Sequence, residues 1–194
     1  LNINGDLTLA GGSVLNFEFG EANVVGGALN DLVNVGGNLT LDGTINVNVP
    51  TGGNFGGGLY RVFNYGGTLV DNGLALGSMP PGSNVTVQTS VAGQVNLINS
   101  DGLSLSFWDG TGGPKFNNVV NGGSGTWHLG GADNNWTGPD GSINAAYADG
   151  TFAIFAGAPG TVTVDNSGGA VTTTGMQFAR GGYVVNGGAL TLVD

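Results

Sequence analysis

An all-β solenoid, a coil of short parallel strands, is the fold class this sequence predicts, and three observations predict it. The first is a phrase of two glycines, one further residue and leucine. It stands at Gly26-Gly27-Ala28-Leu29, Gly36-Gly37-Asn38-Leu39, Gly66-Gly67-Thr68-Leu69 and Gly187-Gly188-Ala189-Leu190, with a looser copy at Asn4-Gly5-Asp6-Leu7. The second is the continuation of that phrase into Leu-Thr-Leu, at Leu7-Thr8-Leu9, Leu39-Thr40-Leu41 and Leu190-Thr191-Leu192. A tight turn feeding a two-sided strand, at offsets of roughly 30 residues, marks a stack of like units. The third is strict alternation of apolar and polar residues, which buries one face of a strand and wets the other.

Taken in order, the alternating runs are Leu15-Asn16-Phe17-Glu18-Phe19, Ile45-Asn46-Val47-Asn48-Val49, Val85-Thr86-Val87, Val95-Asn96-Leu97, Leu103-Ser104-Leu105-Ser106-Phe107 and Val162-Thr163-Val164. Corners fall between them at Asp42-Gly43, Asn72-Gly73, Asp101-Gly102 and Asp109-Gly110. Asn, Asp and Gly suit such corners because they tolerate left-handed backbone. No segment carries a helical period over three turns; Ser142 to Ala148 is too short to stand alone as a helix. Asn-Gly and Asp-Gly favour hairpins locally, so an antiparallel sandwich is the competing layout. A sandwich gives no reason for the sequence to repeat, whereas a coil does. In a coil, like residues of successive turns lie ~4.8 Å apart, so Leu stacks on Leu and Asn on Asn. At about 22–30 residues per turn the chain makes about seven to nine turns, a rod of about 35–45 Å.

The chain has 194 residues, of which 41 are Gly, against a usual share of roughly 7%. Apolar residues still supply 40%, enough for a core. Arg61, Lys115 and Arg180 are the three basic residues against thirteen acidic, a net charge of −10. Without clustered cations, nucleic acid and anionic membranes are poor partners. With no cysteine, disulfides and thiolate metal sites are ruled out. No leader and no apolar stretch of ~20 residues is present, so neither a signal peptide nor membrane insertion of this segment is expected. Both ends read as cuts inside the repeat, which leaves open strand edges and leads to an expectation of end-to-end self-association. Composition changes near residue 100. Residues 1–100 carry most Gly-Gly-x-Leu phrases, and residues 101–194 carry Trp108, Trp127 and Trp136 and the single His128. No linker separates them, so one continuous solenoid over residues 1–194 is expected.

The runs G-G-N-L-T-L-D-G-T-I-N-V (36–47) and G-L-Y-R-V-F-N-Y-G-G-T-L (58–69) resemble the passenger domains of bacterial autotransporters, the type V secretion proteins, in their β-strand repeat regions. So do F-W-D-G (107–110), G-S-G-T-W (123–127), N-N-W-T (134–137) and F-A-I-F-A-G-A-P-G-T-V-T-V (152–164). The resemblance implies a right-handed parallel β-helix with open ends, exposed on the surface of a Gram-negative bacterium. It implies a C-terminal membrane barrel in the parent protein, and a stalk or adhesin role without enzymatic activity. Host extracellular matrix or a cell-surface receptor is the partner it suggests. No catalytic motif of the family, neither Gly-x-Ser-x-Gly nor Gly-Asp-Ser-Leu, maps onto the chain.

Each candidate for chemistry has a bland competitor. A serine triad would need His128, the only histidine, with Asp133 and Ser124 nearest in sequence, but no nucleophile elbow accompanies it, and a polar side chain on a wet strand face explains it better. Asp133-Asn134-Asn135 and Asp140-Gly141-Ser142 form an oxygen-rich stretch whose spacing fits neither calcium repeat. A solvated corner is the simpler account, and no metal or cofactor is expected. A polysaccharide-lyase reading needs a base beside carboxylates, and Arg61, Lys115 and Arg180 lie far apart in sequence. The aromatic residues offer a sugar-stacking strip, although burial is the commoner fate of such rings. Trp136, flanked by Asn134, Asn135 and Thr137, is the tryptophan expected to be exposed if any is, and Trp136, Asn134 and Asn135 are the candidate ligand-binding residues.

Overall fold

Strands form where the alternation predicts them, and the computed structural model, which describes Leu1–Asp194, pairs most of them in parallel. Two units emerge, Leu1–Thr89 with Gly93–Gly102 and Ser90–Ala92 with Leu103–Asp194. In the first unit the chain makes three passes of three strands. The first pass holds β1 (Asn2–Ile3), β2 (Leu7–Thr8) and β3 (Val14–Glu18); the second holds β4 (Val33–Val35), β5 (Leu39–Leu41) and β6 (Thr44–Asn48). The third holds β7 (Gly58–Tyr65), β8 (Leu69–Asp71) and β9 (Ala75–Leu76), after which come β10 (Val85–Gln88) and β11 (Gln94–Asn99). Each strand pairs in parallel with its counterpart one pass later, at offsets of 30 to 32 residues. Leu7, Leu39 and Leu69 therefore lie in one column, and Asn2, Asn34 and Asn64 in another, as the sequence predicts. β11 then runs antiparallel to β7, and β10 antiparallel to β11.

The interior of this unit is aliphatic and phenylalanine-rich: Leu39, Leu41, Ile45, Val47, Phe17, Phe19 and Phe63 are buried on the inward positions of the alternation. Each such side chain contributes about 1.5–3 kcal/mol through removal from water. The repeated glycines have a steric origin. A Cβ on Gly66 would stand 2.6 Å from the carbonyl oxygen of Gly36, one pass below, so only glycine allows that backbone approach. Gly26, by contrast, has φ +67° and lies in the loop between β3 and β4. The first Gly-Gly-x-Leu phrase is thus a loop and not a strand entry, although it looks identical in sequence to the second.

The second unit is less regular. Its strands are β12 (Leu105–Trp108), β13 (Gly125–Trp127), β14 (Trp136–Thr137), β15 (Asn144–Ala145), β16 (Phe152–Phe155), β17 (Thr161–Val164), β18 (Val171–Thr173), β19 (Gly175–Phe178), β20 (Val184–Gly187) and β21 (Leu190–Leu192). Parallel pairing joins β12 to β16 to β19, β13 to β17 to β20, and β18 to β21. β14 and β15 extend the first of these sheets in antiparallel fashion. One turn of 3-10 helix, Asn166–Gly168, is capped by Asp165, whose side chain accepts from the Ser167 amide. The fold is all-β with parallel sheets. No sheet holds more than three parallel strands in a row, so the seven to nine turns estimated from the sequence are not reached. The repeat of the first unit lies at or above the top of the estimated range, and antiparallel strands and loops use up much of the remaining chain.

Candidate functional site

Two polar networks stand out, one in each unit. In the first unit, an amide ladder follows the outer face of the sheet that contains β1, β4 and β7. Asn34 Nδ2 donates to Asn2 Oδ1 at 2.8 Å, and Asn64 Nδ2 donates to Asn34 Oδ1 at 2.8 Å. Arg61 continues it, with Nη1 donating to Asn64 Oδ1 at 2.5 Å and Nε to Asn96 Oδ1 at 2.6 Å. Asn96, fully buried, passes its Nδ2 on to Gln88 Oε1 at 3.0 Å. The guanidinium thus links the parallel stack to the antiparallel pair β10–β11. Two shorter ladders run alongside: Asn46 Nδ2 donates to Asn16 Oδ1 at 2.9 Å, while Asp6 and Asn38 accept from the next pass at Asn38 and Thr68. A one-residue slip would break all of these bonds and turn the core outward.

In the second unit the network surrounds Asp109, which is fully buried. Its Oδ1 accepts from the Asn121 amide at 2.7 Å and its Oδ2 from Asn144 Nδ2 at 2.6 Å. Asn144 Oδ1 in turn accepts from the Phe116 amide at 2.7 Å, and Phe116 lies at φ +57° and is exposed. Lys115 Nζ donates to the carbonyls of Asp109 and Gly110 and to Asn135 Oδ1. Burial pushes the Lys115 ammonium below its ordinary pKa, against the charges of Asp109 and Asp133 that favour protonation. A buried ionised group kept by several hydrogen bonds organises its loops at a cost in desolvation.

Trp136 departs from the expectation of an exposed stacking platform. It is 3% exposed, with ring centroids 5.2 Å from Trp108, 4.9 Å from Trp127 and 4.7 Å from Tyr147. Its polar neighbours misled because Asn135 bonds inward and Thr137 is buried despite its hydroxyl. Asn135 is buried and donates through Nδ2 to the Thr126 carbonyl at 2.9 Å, Thr137 is buried as well, and Asn134 is half-buried with its amide on the Ala132 carbonyl. Trp136 and Asn135 are thus part of the core, and Asn134 part of the loop beside it. The three indoles join Tyr147 and Phe155 in one aromatic cluster. Trp108 Nε1 donates to the Gly123 carbonyl at 2.7 Å, while the Trp127 and Trp136 N–H groups are buried without an acceptor.

The remaining candidates scatter. His128 Nε2 lies 3.4 Å from Asp133 Oδ2 without hydrogen-bond geometry, and the Ser124 hydroxyl accepts from the Thr161 amide instead. Asp140 is held by Ser142, which donates through its amide at 3.1 Å and its hydroxyl at 2.7 Å; these bonds keep the carboxyl below its usual pKa. That is a self-contained corner. Arg61 belongs to the amide ladder, Lys115 to the Asp109 network, and exposed Arg180 borders a hollow of about 210 Å³ with Val91, Val119 and Asn121. A second hollow, about 180 Å³ beside Trp136, Thr137 and Ile143, is likewise smaller than the roughly 300 Å³ of a typical small-molecule site. The Asp109 network escaped sequence reasoning, since its members are spread from residue 109 to 144. The one signal for it was a lone Lys in a chain so poor in cations.

No protein-family model matches the chain. No solved structure matches it either. The chain is 55% identical over 192 residues to the adhesin BmaC autotransporter of Brucella suis biovar 1; the match covers 99% of the chain and 6% of that relative. It therefore spans a small part of the length of the relative it matches. The similarity runs from end to end of a chain whose Leu and Asn columns repeat in register, so the whole of this chain is similar to one segment of that autotransporter adhesin.

Proposed function

We propose that the chain is a structural segment of a surface-exposed adhesin passenger, a stalk that presents binding regions located elsewhere in its parent. The observation that carries this reading is the register-matched amide and leucine stacking of three passes, which needs no ligand to be complete. In this reading both units are parts of one right-handed parallel β-helix, its folding assists export, and no residue acts as a catalyst. The parent is anchored in the outer membrane by a C-terminal barrel, as expected of an autotransporter. The relative's name supplies the word adhesin, and it points to host matrix or a cell-surface receptor as the partner class of the parent.

A direct binding role is the second reading, favoured by Phe116 and Ile143, which are 57% and 70% exposed on loops tied down by Asn144 and Gly141. Replacing residues 1–194 in the parent by an unrelated solenoid of similar length separates the two readings. The stalk reading predicts undiminished adhesion of displaying cells and no binding of the purified chain to matrix proteins or glycan arrays. Saturable binding by the purified chain, lost in a Phe116→Ser/Ile143→Ser variant, overturns it in favour of the second.

A further inference from the structure

β15 is the outermost strand of its five-stranded sheet, so one edge of Asn144–Ala145 meets no further strand. That edge is rigid before anything docks on it. Asn144 Nδ2 donates to Asp109 Oδ2 at 2.6 Å and its Oδ1 accepts from the Phe116 amide at 2.7 Å, while the corner before it is closed by the two bonds from Ser142 to Asp140. Ile143 and Ala145, two positions apart, are exposed, and Asn144 between them is buried. Beside this edge lies the hollow of about 180 Å³, whose wall includes Leu105, Trp136, Thr137, Ile143, Ala145 and Ala148 and holds no charged side chain. It is too small for a typical small molecule but has room for one aliphatic side chain. In that wall Thr137 Oγ1 and Trp136 Nε1 lack hydrogen-bond partners although the residues are 5% and 3% exposed, which marks a surface short of a neighbour. Asp140 and Asp149, both exposed, flank the segment at its two ends.

We propose that the β15 edge and this hollow take an extended peptide segment of a protein partner, one with an aliphatic side chain at its centre and Lys or Arg toward its ends. The proposal rests on the direct-binding reading above and names the partner chemistry of that same site. An unpaired strand edge offers main-chain donors and acceptors at strand spacing, which an extended chain matches. Alternate side chains of an added strand point to one face, so one aliphatic group enters the hollow against Leu105 and Ile143. Asp140 and Asp149 attract the basic ends, and a chain of net charge −10 repels an acidic partner. A second copy of this chain is the poorer occupant, because two of its three basic residues, Arg61 and Lys115, are already engaged in its own networks.

The test is fluorescence anisotropy of a labelled peptide, Lys-Thr-Val-Leu-Val-Thr-Lys with blocked ends, titrated with the purified chain. Saturable binding is expected. It should be about tenfold weaker for Ala148→Leu, which fills the hollow from an exposed rim position, and for a peptide with aspartate in place of the central leucine. Asp140→Asn with Asp149→Asn should weaken it about threefold and flatten its dependence on salt. No saturable binding by the wild-type chain overturns the proposal. Binding that Phe116→Ser abolishes and Ala148→Leu leaves intact also overturns it, while the direct-binding reading survives. Concentration-dependent dimers in light scattering that Ala148→Leu removes make a second copy the occupant, and contradict it as well.

Discussion

The first unit keeps its strands in register with amides, and the second fills its interior with indoles. Where three passes repeat at 30 to 32 residues, an Asn at the same place in each pass meets its own copy above and below, and aliphatic side chains and phenylalanines fill the inside. Where the spacing is irregular, no such column forms. There Trp108, Trp127, Trp136, Tyr147 and Phe155 fill the uneven space, and a buried carboxylate, Asp109, gathers the long loops. Periodicity in sequence thus permits polar side chains to specify register, while its absence shifts the task to large rings and to hydrogen bonds made once.

The largest expected effect lies in the second unit. Trp127→Ala, at a site with no exposure, should cost about 3–5 kcal/mol in chemical denaturation followed by the fluorescence of Trp108 and Trp136. A loss below about 1 kcal/mol would show that the rings do not bear the core. Next, in the first unit, Asn96→Leu takes the acceptor from Arg61 Nε and should cost about 3 kcal/mol. Adding Arg61→Leu should recover part of that loss, and a double-mutant cycle reads the coupling. A smaller effect, about 1–3 kcal/mol, is expected for Gly66→Ala, because its Cβ meets the Gly36 carbonyl. Gly12→Ala, with nothing within 4 Å of its Cβ, should stay within about 0.5 kcal/mol and serves as the control.

The smallest effect is a difference in alkaline stability. Burial raises the pKa of Tyr60 in the first unit and of Tyr147 and Tyr183 in the second. Unfolded tyrosines ionise near pH 10, the folded ones later, so stability is full below that pH and falls as pH rises through the interval. Lys115 acts in the opposite sense below its ordinary pKa of 10.5, since losing its proton relieves a buried charge. Tyr147→Phe with Tyr183→Phe should flatten the alkaline limb of the tryptophan-fluorescence midpoint, and an unchanged limb would remove burial of these phenols as its cause.

Much of the first unit was legible in the sequence because its determinants are local and repeated. Leu39-Thr40-Leu41 and Ile45-Asn46-Val47 announce both strand and inward face, and the shared phrase announces the column. The first phrase, Gly26-Gly27, misled because a glycine chosen for positive φ and one chosen for close backbone approach are spelled alike. In the second unit, Trp136 among Asn134, Asn135 and Thr137 reads as exposed, since a sequence does not show that Asn135 bonds to Thr126 and Lys115 behind it. The Asp109 network joins residues up to 35 positions apart, and no spacing rule reveals such a set.

The central claim, parallel stacking in register, is tested most directly by disulfide trapping between β3 and β6 in a chain that has no native cysteine. Val14 faces Thr44 and Glu18 faces Asn48. Under mild oxidation the pairs Val14→Cys/Thr44→Cys and Glu18→Cys/Asn48→Cys are predicted to cross-link readily, while Val14→Cys/Asn48→Cys and Glu18→Cys/Thr44→Cys stay reduced. Efficient trapping of the second two pairs, with the first two silent, would mean that these strands run antiparallel and would contradict the account.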